Sequence, residues 1–422
     1  HNYAILLQEM NHLPAAITNY KKAIHLNPKL SAVHASLASA LEESGQRNEA
    51  IDSYLEAIKI NPLYLEAHAA LKKIRWASKD LTNLHASYKL VSETFPDSID
   101  GLCNFANSLC ESGDIKQART VIEKATSQPK ANGRSFNILA TVFKAQKKYG
   151  KALEAHRKSI DLESNNFLFR ENLGHTLSLT GRFEEAIIEL LAAYKLNPRR
   201  SAILGFLTIS MNETKDRRLR HYIDYDKFVT TRTIDTPDGF INLQEFNDAL
   251  HQEISNRHKD LPPPLDQTMR GGTQIPNHLF KAPSGLTNTL KTQIKQKLEE
   301  YISSLKLDPK HPFLCFKNKE FKFSGAWSTI LYGSGYDGSH IHNDGWLSGV
   351  YYIKVPEFPD EVWASGEGCL QIGEPPSQFV SAKNQAQKIL KPIAGSLTLF
   401  PSYYWHGVKP FKRDGLRHAI AF

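Results

Sequence analysis

Residues 181–198 read GRFEEAIIELLAAYKLNP, and the spacing of Gly181, Ala186, Leu190, Ala193 and Pro198 within them recurs along the first half of the chain. In steps of 34 residues, or multiples of it, the glycine returns at Gly45 and Gly113, and the small residue five places later at Ala50, Ala118 and Ala152. A second small column runs Ala23, Ala57, Val91, Ala125, Ser159, Ala193, and a bulky one runs Tyr20, Tyr54, Tyr88, Ile122, Leu190, broken only by His156. Prolines close the period at Pro28, Pro62, Pro96 and Pro198, with Pro129 one place early. Each column has a mechanical meaning. Glycine ends one helix in a turn, small residues let two helices approach closely, and proline stops the second helix.

This pattern resembles the tetratricopeptide repeat, with five complete copies at about 31–64, 65–98, 99–132, 133–166 and 167–200. A partial copy precedes them at 1–30, and 201–213 is expected to be a closing helix. Such arrays are binding surfaces and carry no chemistry of their own. Asn104, Asn107, Asn137 and Asn172 fall on first helices, where they are expected to face the groove and could hold the backbone of an extended peptide.

Composition narrows the rest. The net charge of +8 is shared evenly, with 26 Lys+Arg against 21 Asp+Glu in residues 1–200 and 26 against 23 in 201–422. Neither half is a basic domain that binds nucleic acid by charge, and no run of eighteen apolar residues indicates a membrane span. Four cysteines, Cys103, Cys110, Cys315 and Cys369, form no Cys-x-x-Cys pair and imply a reducing, cytoplasmic setting. The chain begins at His1 inside a helical pattern and reads as part of a longer protein.

Beyond about residue 214 the period changes. Amphipathic helices are expected at about 242–258 and 286–305, separated by the non-helical Leu261-Pro-Pro-Pro-Leu265 and by Arg270-Gly-Gly-Thr-Gln274, read as a turn or tight corner. From about 320 the chain reads as short strands, at 321–332, 338–344, 348–355, 368–372, 387–393, 396–400 and 416–422, in the manner of a sandwich, jelly roll or barrel. If 338–344 is extended, alternation puts His340, His342 and Asp344 on one face. His406 follows in Tyr-Tyr-Trp-His406-Gly-Val, and Arg417 opens the terminal strand. Two imidazoles and a carboxylate are the ligand set of non-haem Fe(II) oxygenases, which leave positions open for co-substrate and oxygen.

Residues 325–422 resemble the catalytic core of a 2-oxoglutarate/Fe(II)-dependent oxygenase of the prolyl-hydroxylase-like group. The resemblance rests on Tyr332-Gly-Ser-Gly335, His342-x-Asp344, Ser348-Gly-Val-Tyr351-Tyr-Ile353, Gly395-Ser-Leu-Thr-Leu-Phe-Pro401, His406-x-Val-x-Pro410 and Arg417, in that order. A bacterial branch that often fuses this core to tetratricopeptide repeats has similar Arg-Gly-Gly-Thr-Gln and Ser-Gly-Val-Tyr-Tyr segments.

The resemblance implies that His342, Asp344 and His406 coordinate Fe(II), that Arg417 pairs with the distal carboxylate of 2-oxoglutarate, and that Tyr351 and Tyr332 assist it. Ala419 departs from relatives that carry Ser or Thr there. His340 and Trp346 are expected near the metal or at the substrate mouth, and a His340/His342/His406 ligand set remains open.

The expected architecture is multidomain α + β. An all-α repeat solenoid spans 1–213, and a double-stranded β-helix (jelly roll or cupin-like) domain with flanking helices spans 214–422, its core at about 320–422. The expected activity is O2-dependent hydroxylation of an aliphatic carbon, with a peptide or protein substrate recruited by the repeats. Two other readings are a repeat-based scaffold carrying a vestigial or 2-oxoglutarate-sensing domain, and a cupin-type enzyme using the metal alone.

Overall fold

The computed structural model describes residues 1–258, 268–275, 279–280, 285–379 and 387–422; the proline run at 261–265 lies outside them. It divides into two compact units, His1–Ser164 and Asn165–Phe422.

The first unit is built of helix pairs. Asn2–Glu9 with Leu13–Leu26 is followed by Ser31–Glu43 with Arg47–Ile60, Leu65–Ala77 with Ala86–Thr94, Ile99–Glu111 with Ile115–Thr126, and Gly133–Ala145 with Tyr149–Leu162. The columns read from the sequence form the core. Tyr20, Tyr54, Tyr88, Ile122 and His156 are all buried, as are Ala50, Ala57, Ala118 and Ala125. The Tyr20 hydroxyl donates to Gln8 (2.8 Å), so a large ring is buried without orphaning its polar end.

Each first helix ends in a left-handed residue on the same 34-residue grid. Glycine fills it at Gly45, Gly113 and Gly181 (φ +83°, +85° and +75°), but Asn11, Lys79, Lys147 and Lys215 adopt it as well, with φ between +53° and +61°. The next N–H then reaches back to a carbonyl five residues earlier, as Gln46 does to Leu41 (2.9 Å) and Lys148 to Phe143 (2.8 Å). The glycine column therefore undercounted the turns, because asparagine and lysine take the same backbone state at the other nodes.

The second unit opens with helices Phe167–Leu179, Phe183–Leu196 and Ser201–Glu213. Among the described residues a sheet of nine strands follows: β1 (Thr230–Thr233), β2 (Met269–Ile275), β3 (Trp327–His340), β4 (Leu347–Lys354), β5 (Leu370–Ile372), β6 (Lys388–Leu390), β7 (Ser396–Pro401), β8 (His406–Val408) and β9 (Arg417–Ala421). The order is β1-β7-β4-β9-β3-β8-β5-β6, with β2 added on β3 and every pairing antiparallel. The long β3 pairs with β9 through its first half and with β8 through its second, so the sheet curls in a jelly-roll-like manner. Helices Leu243–Ser255 and Gly285–Ser304 flank it, close to their expected positions.

Three expectations change here. The Arg270–Gln274 segment is strand β2, not a corner. A Cβ on Gly272 would stand 2.2 Å from the Ile330 carbonyl oxygen, and Gly271 has φ +67° at a register shift. The strand expected at 338–344 ends at His340, and β1, β2 and β8 were not foreseen as strands. The repeat-closing helix is fastened to the sheet, with Trp405 Nε1 donating to the Gly205 carbonyl (2.9 Å). Compact packing divides the chain after Ser164, so the last repeat helices belong to the same unit as the sheet.

Candidate active site

His340 ends β3, His406 opens β8, and the two face each other in the β3–β8 register. His342 lies two residues past the strand end, its N–H bonded to the Ser402 carbonyl (3.2 Å). Together His340, His342 and His406 place one ring nitrogen each within 4.8 Å of the others. The tautomers follow from the backbone. His406 Nδ1 lies 2.9 Å from the Tyr404 carbonyl and His340 Nδ1 lies 2.9 Å from the Gly338 carbonyl. A carbonyl only accepts, so both Nδ1 atoms carry a proton, and in the neutral ring that leaves Nε2 as the atom with the lone pair. Asp337, 3.8 Å from His340 Nδ1, stands behind that ring.

The His342 and His406 Nε2 atoms are 3.1 Å apart. Two donors at about 2.1 Å from one ion, at right to tetrahedral angles, would be roughly 3.0–3.4 Å apart, so the spacing suits a shared divalent cation. Burial, then the neighbouring His340, pushes His342 down to about 3. Burial, then His340 and His342, holds His406 well below its ordinary value. Both are neutral near pH 7, the form a metal requires. Trp327 stacks on His342 (centroids 5.3 Å) and Phe400 packs on His406 (4.7 Å), fixing the rings.

Arg417 lines the same cavity as the three histidines and is buried at 2% exposure. Among the described residues it makes no ion pair, and its Nε has no hydrogen-bond partner. A buried guanidinium without an anion is costly, so this position calls for one. Beside it lies Tyr352, whose ring is 4.9 Å from the guanidinium carbon and whose buried hydroxyl lies close to Arg417 and Thr398. Burial raises the Tyr352 phenol, which keeps it a donor.

Several expected residues lie elsewhere. Asp344 does not join the histidines. Alternation needed a strand through 344, but β3 stops at His340, and the bend beyond it sends the Asp344 carboxylate to Arg200 (2.8 Å), where its side chain is 79% exposed. Tyr351 points away from the cavity and donates to Asn247 on helix Leu243–Ser255 (2.6 Å). The β4–β9 register sets Tyr352 opposite Ala419 and Tyr351 opposite Ile420, so the inward tyrosine is the second of the pair. Tyr332 is exposed and does not line the cavity. Trp346 stacks on Phe313 (5.0 Å) and donates to its carbonyl (2.8 Å), lining a separate cleft of about 540 Å³ with Asp344. In the repeats, Asn104 accepts from Arg134 and Asn137 faces His156 (3.2 Å), so neither is an open peptide contact.

Comparisons with known proteins accord with this division. Residues 325–422 match the family described as "Putative 2OG-Fe(II) oxygenase", and residues 32–62 and 169–200 match the tetratricopeptide repeat family. No curated protein sequence matches the chain. Among solved structures, the chain is similar to pilF of Pseudomonas aeruginosa, at 18% identity and TM-score 0.36 over 46% of this chain and 89% of that one. A tetratricopeptide repeat protein from Parabacteroides merdae gives 12% and 0.39 over 52% and 87%, and yeast Tom70 gives 15% and 0.40 over 49% and 44%. The chain therefore carries tetratricopeptide repeats, a module that generally binds proteins or peptides, and a domain of the 2-oxoglutarate/Fe(II) oxygenase kind. Among the described residues no helix is long and apolar enough to cross a membrane.

Proposed function

We propose that the chain is a 2-oxoglutarate- and Fe(II)-dependent dioxygenase that hydroxylates an aliphatic carbon of a peptide or protein substrate held by the repeats. The observation that carries this is one cavity holding three converging imidazoles and a buried, anion-seeking Arg417. His340, His342 and His406 would hold the iron through their Nε2 atoms. This donor set replaces the two-histidine, one-carboxylate set expected from the sequence. Being neutral, it leaves the full charge of the ion for an anionic chelate. When bound, iron and 2-oxoglutarate supply O2 activation, with the co-substrate decarboxylated to succinate and CO2.

The chain's own residues bind, orient and shield. Arg417 would take the distal carboxylate of the co-substrate in a two-pronged ion pair, and Tyr352 would donate to it. The Tyr404 and Gly338 carbonyls hold the His406 and His340 protons on Nδ1, so the metal-facing atoms stay bare. Trp327 and Phe400 keep water from the imidazole faces.

Anaerobic protein given Fe(II) and 2-oxoglutarate is expected to show a weak visible charge-transfer band, and to form succinate when oxygen is admitted. His340→Ala, His342→Ala and His406→Ala should each lose the band, while Asp344→Ala retains it. A wild-type protein with neither band nor succinate would end the oxygenase reading. A band that survives His340→Ala and vanishes in Asp344→Ala would restore the carboxylate as the third ligand.

A further inference from the structure

The loop that carries His342 is gripped by the helix that closes the repeats. Arg200 donates from Nη1 to the Asp344 carboxylate (2.8 Å). The Ser201 hydroxyl donates to the Gly345 carbonyl, and the Ala202 N–H donates to the Asn343 carbonyl (3.3 Å). One turn further, Gly205 lies against Ile341, where an added Cβ would stand 2.6 Å from the Ile341 Cδ1 atom. Of residues 341–345, four are therefore held by residues 200–205, and the fifth, His342, turns into the cavity. Arg200 is itself fixed. It is 16% exposed and forks onto the buried Glu171 of the last repeat through Nε (3.0 Å) and Nη2 (3.3 Å).

We infer that Arg200 and the first turn of helix Ser201–Glu213 are a positioning device for the metal centre, setting His342 through the backbone of residues 341–345. The inference rests on the metal reading above, in which His342 is a ligand and Asp344 is not. Beyond the end of its strand His342 keeps one backbone bond, to the Ser402 carbonyl, and the first-turn donors of a helix hold the residues on either side of it. Asp344 also brings a negative charge to a helix N-terminus, where it is favoured. The aspartate that sequence places among the ligands thus acts two residues away from the ligand, through Arg200.

The test uses the full chain, with Co(II) alone as the metal probe followed by its visible absorption, and amide hydrogen exchange of the metal-free protein. Arg200→Ala and Asp344→Ala should each weaken Co(II) binding by about 10-fold, as loss of a ligand-orienting partner does. The double variant should be no weaker than either single one, and Arg200→Lys should recover part of the loss. Exchange across 341–346 should rise in both single variants. Arg200→Ala also breaks the Arg200–Glu171 pair, so Asp344→Ala and Ser201→Ala, which keep that pair, serve as variants that hold the fold.

Unchanged Co(II) affinity together with unchanged exchange in Asp344→Ala would overturn the inference. So would abolition of Co(II) binding by Asp344→Ala with no effect of Arg200→Ala, since Asp344 would then be a ligand. If wild type binds no Co(II), the metal reading fails by itself. The exchange of residues 341–346 then decides whether Arg200 holds the loop.

Discussion

The repeats and the sheet solve the problem of holding a buried side chain in opposite ways. In the repeats each role recurs every 34 residues, and its partner lies within the same helix pair or the next, as Tyr20 finds Gln8 twelve residues away and Asn104 accepts from Arg134 thirty away. In the sheet each role occurs once and its partner is distant. Thr230 pairs with Leu399, His342 faces His406 across 64 residues, and Arg200 reaches Asp344 across 144. Damage to a repeat is therefore confined to its neighbours, whereas damage to the sheet spreads through a closed set of long-range pairings.

The sharpest way to break this comparison is at Arg417, which has no duplicate. Arg417→Ala is expected to raise the 2-oxoglutarate concentration for half-maximal succinate formation by roughly 10–100-fold, the loss of a charge-assisted contact, while metal content stays at the wild-type level. A rise of less than about twofold would remove Arg417 from the co-substrate.

Acid should separate the two regions next. In the sheet domain His258 and His418 both bond Ser328 (2.8 and 2.7 Å) and His251 joins His418 (2.8 Å), a chain buried except at His251, the end that Asp248 reaches. Burial first, with the cations Arg257 and Lys354 and the other histidines adding to it, lowers His258 to about 4 and His418 to about 2. The unfolded chain takes up protons from about pH 6.5 downward and the folded one does not, so stability is complete above about pH 6.5 and erodes from there to about pH 4 for His258 and about pH 2 for His418. Four of the five tryptophans, Trp327, Trp346, Trp363 and Trp405, lie in this unit, so tryptophan emission during urea unfolding reads it selectively. The urea midpoint should fall between about pH 7.5 and 5, and fall less in His418→Asn. Equal falls in the two proteins would show that the chain of histidines is not the cause.

A smaller effect distinguishes adjacent tyrosines. Tyr352→Phe should raise the 2-oxoglutarate requirement about 3- to 10-fold, one hydrogen bond's worth, and Tyr351→Phe should leave it alone while lowering stability by about 1 kcal/mol through Asn247. The reverse outcome would return the role to Tyr351. The smallest effect belongs to the repeats. Lys79→Gly and Lys147→Gly, placed where the backbone is already left-handed, should each stabilise the array by roughly 0.5–1 kcal/mol in thermal unfolding, and Gly113→Ala should destabilise it. A loss on Lys→Gly would mean that the lysine stems pack well enough to offset their backbone cost.

The same contrast governs how much could be read from residue order. The repeats were legible throughout because five copies average out local exceptions such as His156. In the sheet, His342, His406 and Arg417 stood out because few roles suit those residue types in that order, and the structure brings the three to one cavity. Asp344 was misplaced because the reading extended a strand that ends at His340, and because its captor, Arg200, belongs to another module. Tyr351 was chosen over Tyr352 because a shift of one residue along a strand exchanges its faces, and two tyrosines in a row give no pattern to fix the face.

The left-handed grid runs from Asn11 to Lys215, one node beyond the last complete repeat, so the closing helix is the first half of a further copy. A gene encoding this chain could gain or lose whole 34-residue units ahead of Asn165 and deliver Arg200 to the same place each time. A one-residue insertion between Pro198 and Ser201 would rotate that helix by about 100° and present a different face to Asp344. Array length is thus free to drift in quanta, while the phase at its final turn is held fixed.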